Sequence, residues 1–119
     1  MANRWTALQT FWNSFGIPAY DENTVPDGAV LPYITYQAAV SDFDNRVLLT
    51  ASLWYRSTSW AEISEKAEQI SDTIGGGYGV RYDNGRLWIT KENIFAQRMS
   101  DPSDDKIRRI YLQVIAEFQ

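Results

Sequence analysis

Apolar residues in this chain keep two different rhythms, and the order of those rhythms leaves few folds open. Between residues 33 and 40, Ile34, Tyr36, Ala38 and Val40 occupy every second position, and between 47 and 57 so do Val47, Leu49, Ala51, Leu53 and Tyr55. A period of two is the side-chain repeat of a strand, so each segment is expected to turn one apolar face inward. The polar run from Asp42 to Arg46 predicts that the two form a hairpin. The repeat then lengthens, because Trp60, Ile63, Ala67, Ile70 and Ile74 follow a helical stripe. Ser59 and Glu62 have capping-box spacing, and Gly75 suits the position just past the helix. Glu62 precedes Lys66 by four residues in the favourable order, whereas Asp72 opposes the helix dipole.

Period two returns in residues 80 to 90, where Asn84-Gly85 is a strong two-residue hairpin signal. Centring the turn on those two residues predicts that Asp83 faces Arg86, Tyr82 faces Leu87, Arg81 faces Trp88 and Val80 faces Ile89. Val80, Tyr82, Leu87 and Ile89 would then share an apolar face, and Arg81 would stack on Trp88. Residues 92 to 106 read as a long polar loop interrupted by Ile94, Phe95 and Met99. A last strand is predicted over 107 to 118, with Ile110, Leu112, Val114, Ala116 and Phe118 inward. Upstream, Trp5, Leu8, Trp12 and Phe15 predict a first helix over residues 3 to 15, ended by Gly16 and Pro18. Residues 21 to 32 are turn-rich, with Pro26, Asp27, Gly28 and Pro32, and read as a surface connection.

The order helix, two strands, helix, three strands predicts an α+β fold, an antiparallel-dominated sheet of about four to five strands with two helices on one face. At 119 residues the chain is expected to form one domain, residues 1 to 119. Two helices cover only one side of such a sheet. The predicted strand phases leave Tyr33, Trp54, Trp88, Tyr111 and Ile115 on the other side, among Arg56, Arg81, Arg109, Gln113 and Glu117. Aromatic rings mixed with arginine are the composition of a protein interface. The alternative is that these rings pack on one another or beneath the 92 to 106 loop.

Composition removes several classes of function. Five Trp, seven Tyr and five Phe exceed what a small core requires, so part of this load suits subunit contacts. With a net charge of -4 and no block of Lys or Arg, sequence-specific binding of nucleic acid is not expected. Without cysteine there is no disulfide, thiolate metal site or thiol nucleophile, and without histidine the commonest general base is missing. No stretch approaches the roughly 20 apolar residues of a membrane span, nor does the start resemble a secretion signal, which predicts a soluble protein that is not exported.

Three motifs invite chemistry. Gly75-Gly-Gly-Tyr-Gly79 follows a helix instead of opening one and lacks the Lys-Ser/Thr pair of a phosphate loop, so it reads as a flexible helix exit. Asp101-Pro-Ser-Asp-Asp105 clusters carboxylates without the spacing or glycine of a calcium loop, and reads as a solvated turn. Paired carboxylates can do acid and base work without histidine, but a sequence does not pair them in space. Trp54 and Trp88 are the remaining candidates for a sugar-stacking platform, since Trp5, Trp12 and Trp60 fall on helical core stripes. No catalytic, cofactor-binding or metal-binding residue is assigned, and no cofactor is expected.

Three stretches carry a wider likeness: Arg4-Trp-Thr-Ala-Leu-Gln-Thr-Phe-Trp-Asn-Ser-Phe-Gly-Ile-Pro-Ala-Tyr20, Leu53-Trp-Tyr-Arg-Ser-Thr-Ser-Trp-Ala-Glu-Ile63 and Phe95-Ala-Gln-Arg-Met-Ser-Asp-Pro-Ser-Asp-Asp105. Through them the chain resembles, nearly end to end, small proteins of phages and prophages of Gram-positive bacteria described as minor capsid or tail-completion proteins. The order of elements is also similar to that of tail terminators. The resemblance implies a non-enzymatic virion protein at the head-tail junction, assembled in the bacterial cytoplasm. It implies a ring, usually of six copies, that caps the head-proximal end of the tail tube. Its expected partners are further copies of itself, the tail tube protein and the head connector or neck protein, while DNA passes through the lumen. A head-side connector, head completion or minor capsid protein is the alternative, and a carbohydrate-binding module a more distant one. On this reading Trp54, Trp88, Tyr111 and Arg109 serve protein contacts on the open face. Arg46, Phe95, Arg98, Asp104, Asp105 and Lys106 serve them from the adjoining loops.

Overall fold

The computed structural model describes residues 3–38, 43, 46–100 and 103–119. Its elements in chain order are α1 (Arg4–Trp12), β1 (Ala19–Asp21), β2 (Tyr33–Tyr36), β3 (Val47–Arg56), α2 (Ala61–Ile74), β4 (Tyr78–Tyr82), β5 (Gly85–Met99) and β6 (Ile107–Phe118). They build one six-stranded sheet in the order β1-β2-β3-β6-β5-β4. Every pairing is antiparallel except that of β1 with β2. The α+β class and the antiparallel bias are as expected, with one strand more than the range read from the sequence. The predicted residues Val40 and Asp42, like Asp101, lie outside the described ones.

Register explains why the core forms. Leu53 stands opposite Ile110 on one side and Ile34 on the other, Ala51 opposite Leu112 and Leu49 opposite Val114. All six residues besides Ala51 in these pairs are essentially inaccessible, and they merge with Leu8, Phe11, Trp12, Ile63, Ile70 and Ile74 of the helices into one core. Each such side chain stabilises the fold by about 1.5–3 kcal/mol relative to its exposed state. Both helices therefore cover the same face.

Helix α1 starts where Asn3 accepts the Thr6 N–H at 2.8 Å, a side-chain N-cap. Its buried stripe is Ala7, Leu8, Phe11 and Trp12, so the expected inward position of Trp5 is corrected: that ring is 44% exposed. The buried arc is centred between Phe11 and Leu8, which leaves Trp5 at its border in the first turn. There it meets Phe43 edge-on, with centroids 5.5 Å apart. The polar side of the helix end fixes β1. Gln9 Nε2 donates to the Ala19 carbonyl and Asn13 Oδ1 accepts the Ala19 N–H, both at 3.1 Å. Strand β1 is thus held by side chains and by pairing with β2, a cause that leaves no periodic pattern, and the expected loop from Asp21 actually begins as its last residue.

At α2 the helix starts one residue later than the predicted box needs. The cap position falls on Trp60, whose side chain makes no capping bond, while Ser59 Oγ accepts the Ala61 N–H at 3.0 Å. Lys66 does not turn to Glu62. Its Nζ donates to the Phe15 carbonyl and to Gln69 Oε1, each at 2.7 Å, and so ties α2 to the end of the α1 segment. The inward stripe Ile63, Ala67, Ile70, Ile74 and the end at Gly75, with φ of 52°, are as predicted.

The β4–β5 hairpin turns one residue earlier than expected. Tyr82 pairs with Gly85, Arg81 with Arg86, Val80 with Leu87 and Gly79 with Trp88, so Asp83 and Asn84 make the turn. Moving the turn by one residue shifts each pairing by two, which keeps every side chain on its predicted face. Partners change: Arg86, not Arg81, lies over Trp88, at 5.0 Å. Gly85 is required for a different reason than a left-handed turn. Arg86 and Gln119 exchange backbone hydrogen bonds at 2.8 Å, and a Cβ on Gly85 would stand 2.0 Å from the Gln119 carbonyl. The glycines before β4 have a structural task too. A Cβ on Gly77 would stand 1.9 Å from Cζ2 of Trp88, and Gly79 lies beneath the same ring. The predicted flexible helix exit is a seat for an indole.

Residues 92 to 99 correct the loop expectation, because β5 continues to Met99. Lys91 pairs with Val114 and Ala96 with Leu112, so the four residues between them face only Gln113. This bulge, whose Asn93–Ile94 peptide is cis, breaks the alternation and hides the strand from a period-two reading.

Two outcomes test this account. Gly77→Ala is expected to destabilise by about 1–3 kcal/mol in chemical denaturation. In a Trp88→Ala background the part of that cost due to the ring should vanish, leaving the strain of the Gly77 φ of 156°, and an unchanged cost would refute the seat. Burial first, with Asp21 adding to it for Tyr36 and Glu62 for Tyr55, raises both phenol pKa values above 10.0. The folded state therefore holds these protons more tightly than the unfolded one. Their contribution is complete below pH 10 and declines as pH rises through the raised values. Denaturation midpoints measured above pH 10 should fall less steeply in Tyr36→Phe than in the parent.

Candidate assembly surface

Strand alternation sends the remaining side chains to the face that no helix covers. At one end of this open face, Trp54 is the cross-strand partner of Tyr33 on one side and Arg109 on the other. The Arg109 guanidinium lies 4.8 Å from the Trp54 ring centroid and 5.9 Å from that of Tyr111. Its Nε donates to Ser52 Oγ at 3.0 Å, and Trp54 Nε1 donates to Thr35 Oγ1 at 2.9 Å. Tyr20 touches Tyr33 edge-on at 5.6 Å and extends the aromatic band. Each ring is only half-buried, and Trp54 and Arg109 at the centre are fixed by these hydrogen bonds, so that part of the cluster is ordered before any partner arrives.

Trp88 occupies the opposite end. It pairs with Glu117, which is eight residues from Arg109 along β6, or about 26 Å. The predicted grouping of Trp88 with Trp54 and Tyr111 is therefore one of face, not of contact. Two rings so far apart do not offer a single sugar platform. Around Trp88 stand Arg86 on its ring, Arg81 opposite Arg86, and Arg46, whose Nε lies 2.9 Å from Glu117 Oε1. The middle of the face is aliphatic, where Leu48, 48% exposed, faces Ile115.

The other predicted contact residues sit elsewhere. Arg98 is on the helix-covered face, where its guanidinium lies 5.0 Å from the Trp60 ring and its Nη2 donates to Ser64 Oγ at 3.0 Å. Arg108 meets the same ring at 5.3 Å and donates to the carbonyls of Thr58 and Asp105. Asp104 Oδ1 accepts the Lys106 N–H at 2.8 Å, the Lys106 carbonyl accepts the Ser57 N–H, and Asp104 Oδ2 is 3.9 Å from Arg56. Asp104, Asp105 and Lys106 thus build the turn into β6. Phe95 packs half-buried against the core from the bulge, while its neighbour Ile94 is 60% exposed with its carbonyl held by Gln113.

Leu48, Ile94 and Arg86 belong to the surface yet were not singled out from the sequence. Leu48 was legible as the odd apolar residue in the outward phase of β3. Ile94 was hidden by the bulge and Arg86 by the one-residue difference in the turn. Among the described residues, no group of three His, Cys, Asp or Glu side chains is placed to hold a metal ion, and no helix is long and apolar enough to cross a membrane. What the geometry offers is a half-buried aromatic and arginine face, which is suited to protein contact.

No protein-family model matches the chain, and no curated protein matches it. Among solved structures the fold is similar to that of a chain in the virion of the native gene transfer agent particle, over 97% of this chain and 93% of that one. The TM-score is 0.66 at 20% sequence identity, so the likeness is one of fold.

Proposed function

We propose that this protein is a structural subunit of a phage-like virion, and within it a tail terminator: a ring that caps the head-proximal end of the tail tube and joins tail to head. The observation that carries this reading is a fold shared, across nearly the whole of both chains, with a virion chain. The open sheet face supports it, since a subunit that assembles needs an exposed, rigid, aromatic surface. A closed ring requires a heterologous contact that repeats by rotation. It also requires a lumen that does not grip DNA, which the net charge of -4 favours. Trp54, Tyr111 and Arg109 at one end of the face and Trp88 with Arg46 at the other serve contacts between subunits. Phe95, Arg98, Asp104, Asp105 and Lys106, at the bulge and the β5–β6 turn, meet a neighbour or the tube.

A head-side connector or minor capsid component would use the same surface with a different partner. Electron microscopy of lysates from a phage deleted for this gene separates the two. Termination predicts full heads beside overlong or unjoined tails. Empty heads with tails of normal length would move the protein to the head side, and intact infectious particles would refute both.

The residue assignment has its own check. Trp88→Ala and Arg98→Ala are expected to cut the yield of joined particles in complementation of the deletion, with each variant still folded by circular dichroism. Normal joining by both would show that these contacts are wrongly placed.

A further inference from the structure

Charge is segregated in this acidic chain. The outward side of α2 carries Glu62, Glu65, Glu68 and Asp72, all exposed. The ion pairs among the described residues are Arg46–Glu117 and Arg56–Asp104, so none of these carboxylates is neutralised, and Lys66 is turned away to the Phe15 carbonyl. On the opposite side of the molecule, Arg81 and Arg86 face each other directly across the β4–β5 hairpin, both exposed. Like charges in that position destabilise a hairpin unless something negative meets them. Beside them Trp88 lies on Gly77 and Gly79 with the Arg86 guanidinium 5.0 Å from its ring centroid, and Arg46, paired with Glu117, closes the row just before β3.

We infer that this Trp88 corner is the docking surface for the acidic side of α2 of a second copy of this chain. The dimensions agree. From Arg46, just before β3, to Arg81 on β4 is three strand spacings, about 14 Å. From Glu62 to Asp72 is ten helical residues, about 15 Å. The two patches lie on opposite sides of the subunit, so the contact is head-to-tail, the kind that builds rings or filaments and not closed pairs. DNA is also anionic, but the net charge of -4 opposes its approach, whereas the row on α2 is an unneutralised partner present on every copy. The assignment deepens the reading of the chain as an assembling subunit and rests on it.

The test uses two charge-reversed full-length variants, Arg81→Glu with Arg86→Glu, and Glu65→Lys with Glu68→Lys, all at exposed positions. Sedimentation velocity of the wild type should show association that grows with concentration and weakens with salt. Each variant should lose affinity for itself on the order of 100-fold. An equimolar mixture should recover it, because the reversed patches complement each other. A wild type that stays monomeric throughout, variants that associate as the wild type does, or a mixture that fails to recover would each overturn the contact. So would binding of the wild type to a 30-base-pair duplex that Arg81→Glu with Arg86→Glu abolishes, which would assign the corner to nucleic acid. Any of these results would leave the virion reading standing, since that reading is decided by the deletion phenotype.

Discussion

Strand β6 is paired on both sides, and the rest of the structure depends on that pairing. Ten consecutive residues of β3 match Ile107 to Ala116, and β5 matches the other edge before and after its bulge. Because β6 alternates strictly, a slip of one residue against either neighbour would turn Ile110, Leu112, Val114 and Ala116 outward and bring Arg109, Tyr111 and Gln113 into the core. The register is therefore fixed by the hydrophobic effect. Once it is fixed, so is the surface: Arg109 must lie beside Trp54, and Glu117 between Arg46 and Trp88. Core and candidate interface are two sides of one alternation.

The two indoles of the open face are immobilised by different means. Trp54 is anchored through its N–H to Thr35 and through its ring to Arg109, both neighbours by strand pairing. Trp88 takes its arginine from its own strand, Arg86 at 5.0 Å, and lies on backbone that glycine leaves bare. The glycine-rich run at residues 75 to 79 thus ends a helix at its first position and seats a ring at its third and fifth. A surface prepared in this way loses little conformational freedom when a partner binds.

Where sequence reading and structure part, the cause is local in each case. Trp5 satisfied a helical stripe but lies at the border of the buried arc. Strand β1 is three residues held by Gln9 and Asn13, which have no apolar repeat to betray them. The Asn84-Gly85 signal was genuine, yet Gly85 is needed for the close approach of Gln119, so the turn sits one residue earlier. Strand β5 was cut short because four residues opposite Gln113 destroy the period at Lys91. Arg98, expected in a loop, stands instead in β5 with its guanidinium on Trp60 beside the second helix.

The sequence by itself determined the α+β class, the inward face of β2, β3, β4, β6 and α2, and that Tyr33, Trp54, Trp88 and Tyr111 would be left on the far side of the sheet. Those are one-dimensional facts, since periods of two and 3.6 assign faces without reference to any partner. Only the tertiary structure decided the strand order, the parallel β1, the course of β5 and the division of the open face into a Trp54 end and a Trp88 end. These depend on which strand lies beside which, and a chain shows that only when distant residues such as Arg46 and Glu117, or Gly77 and Trp88, come into contact.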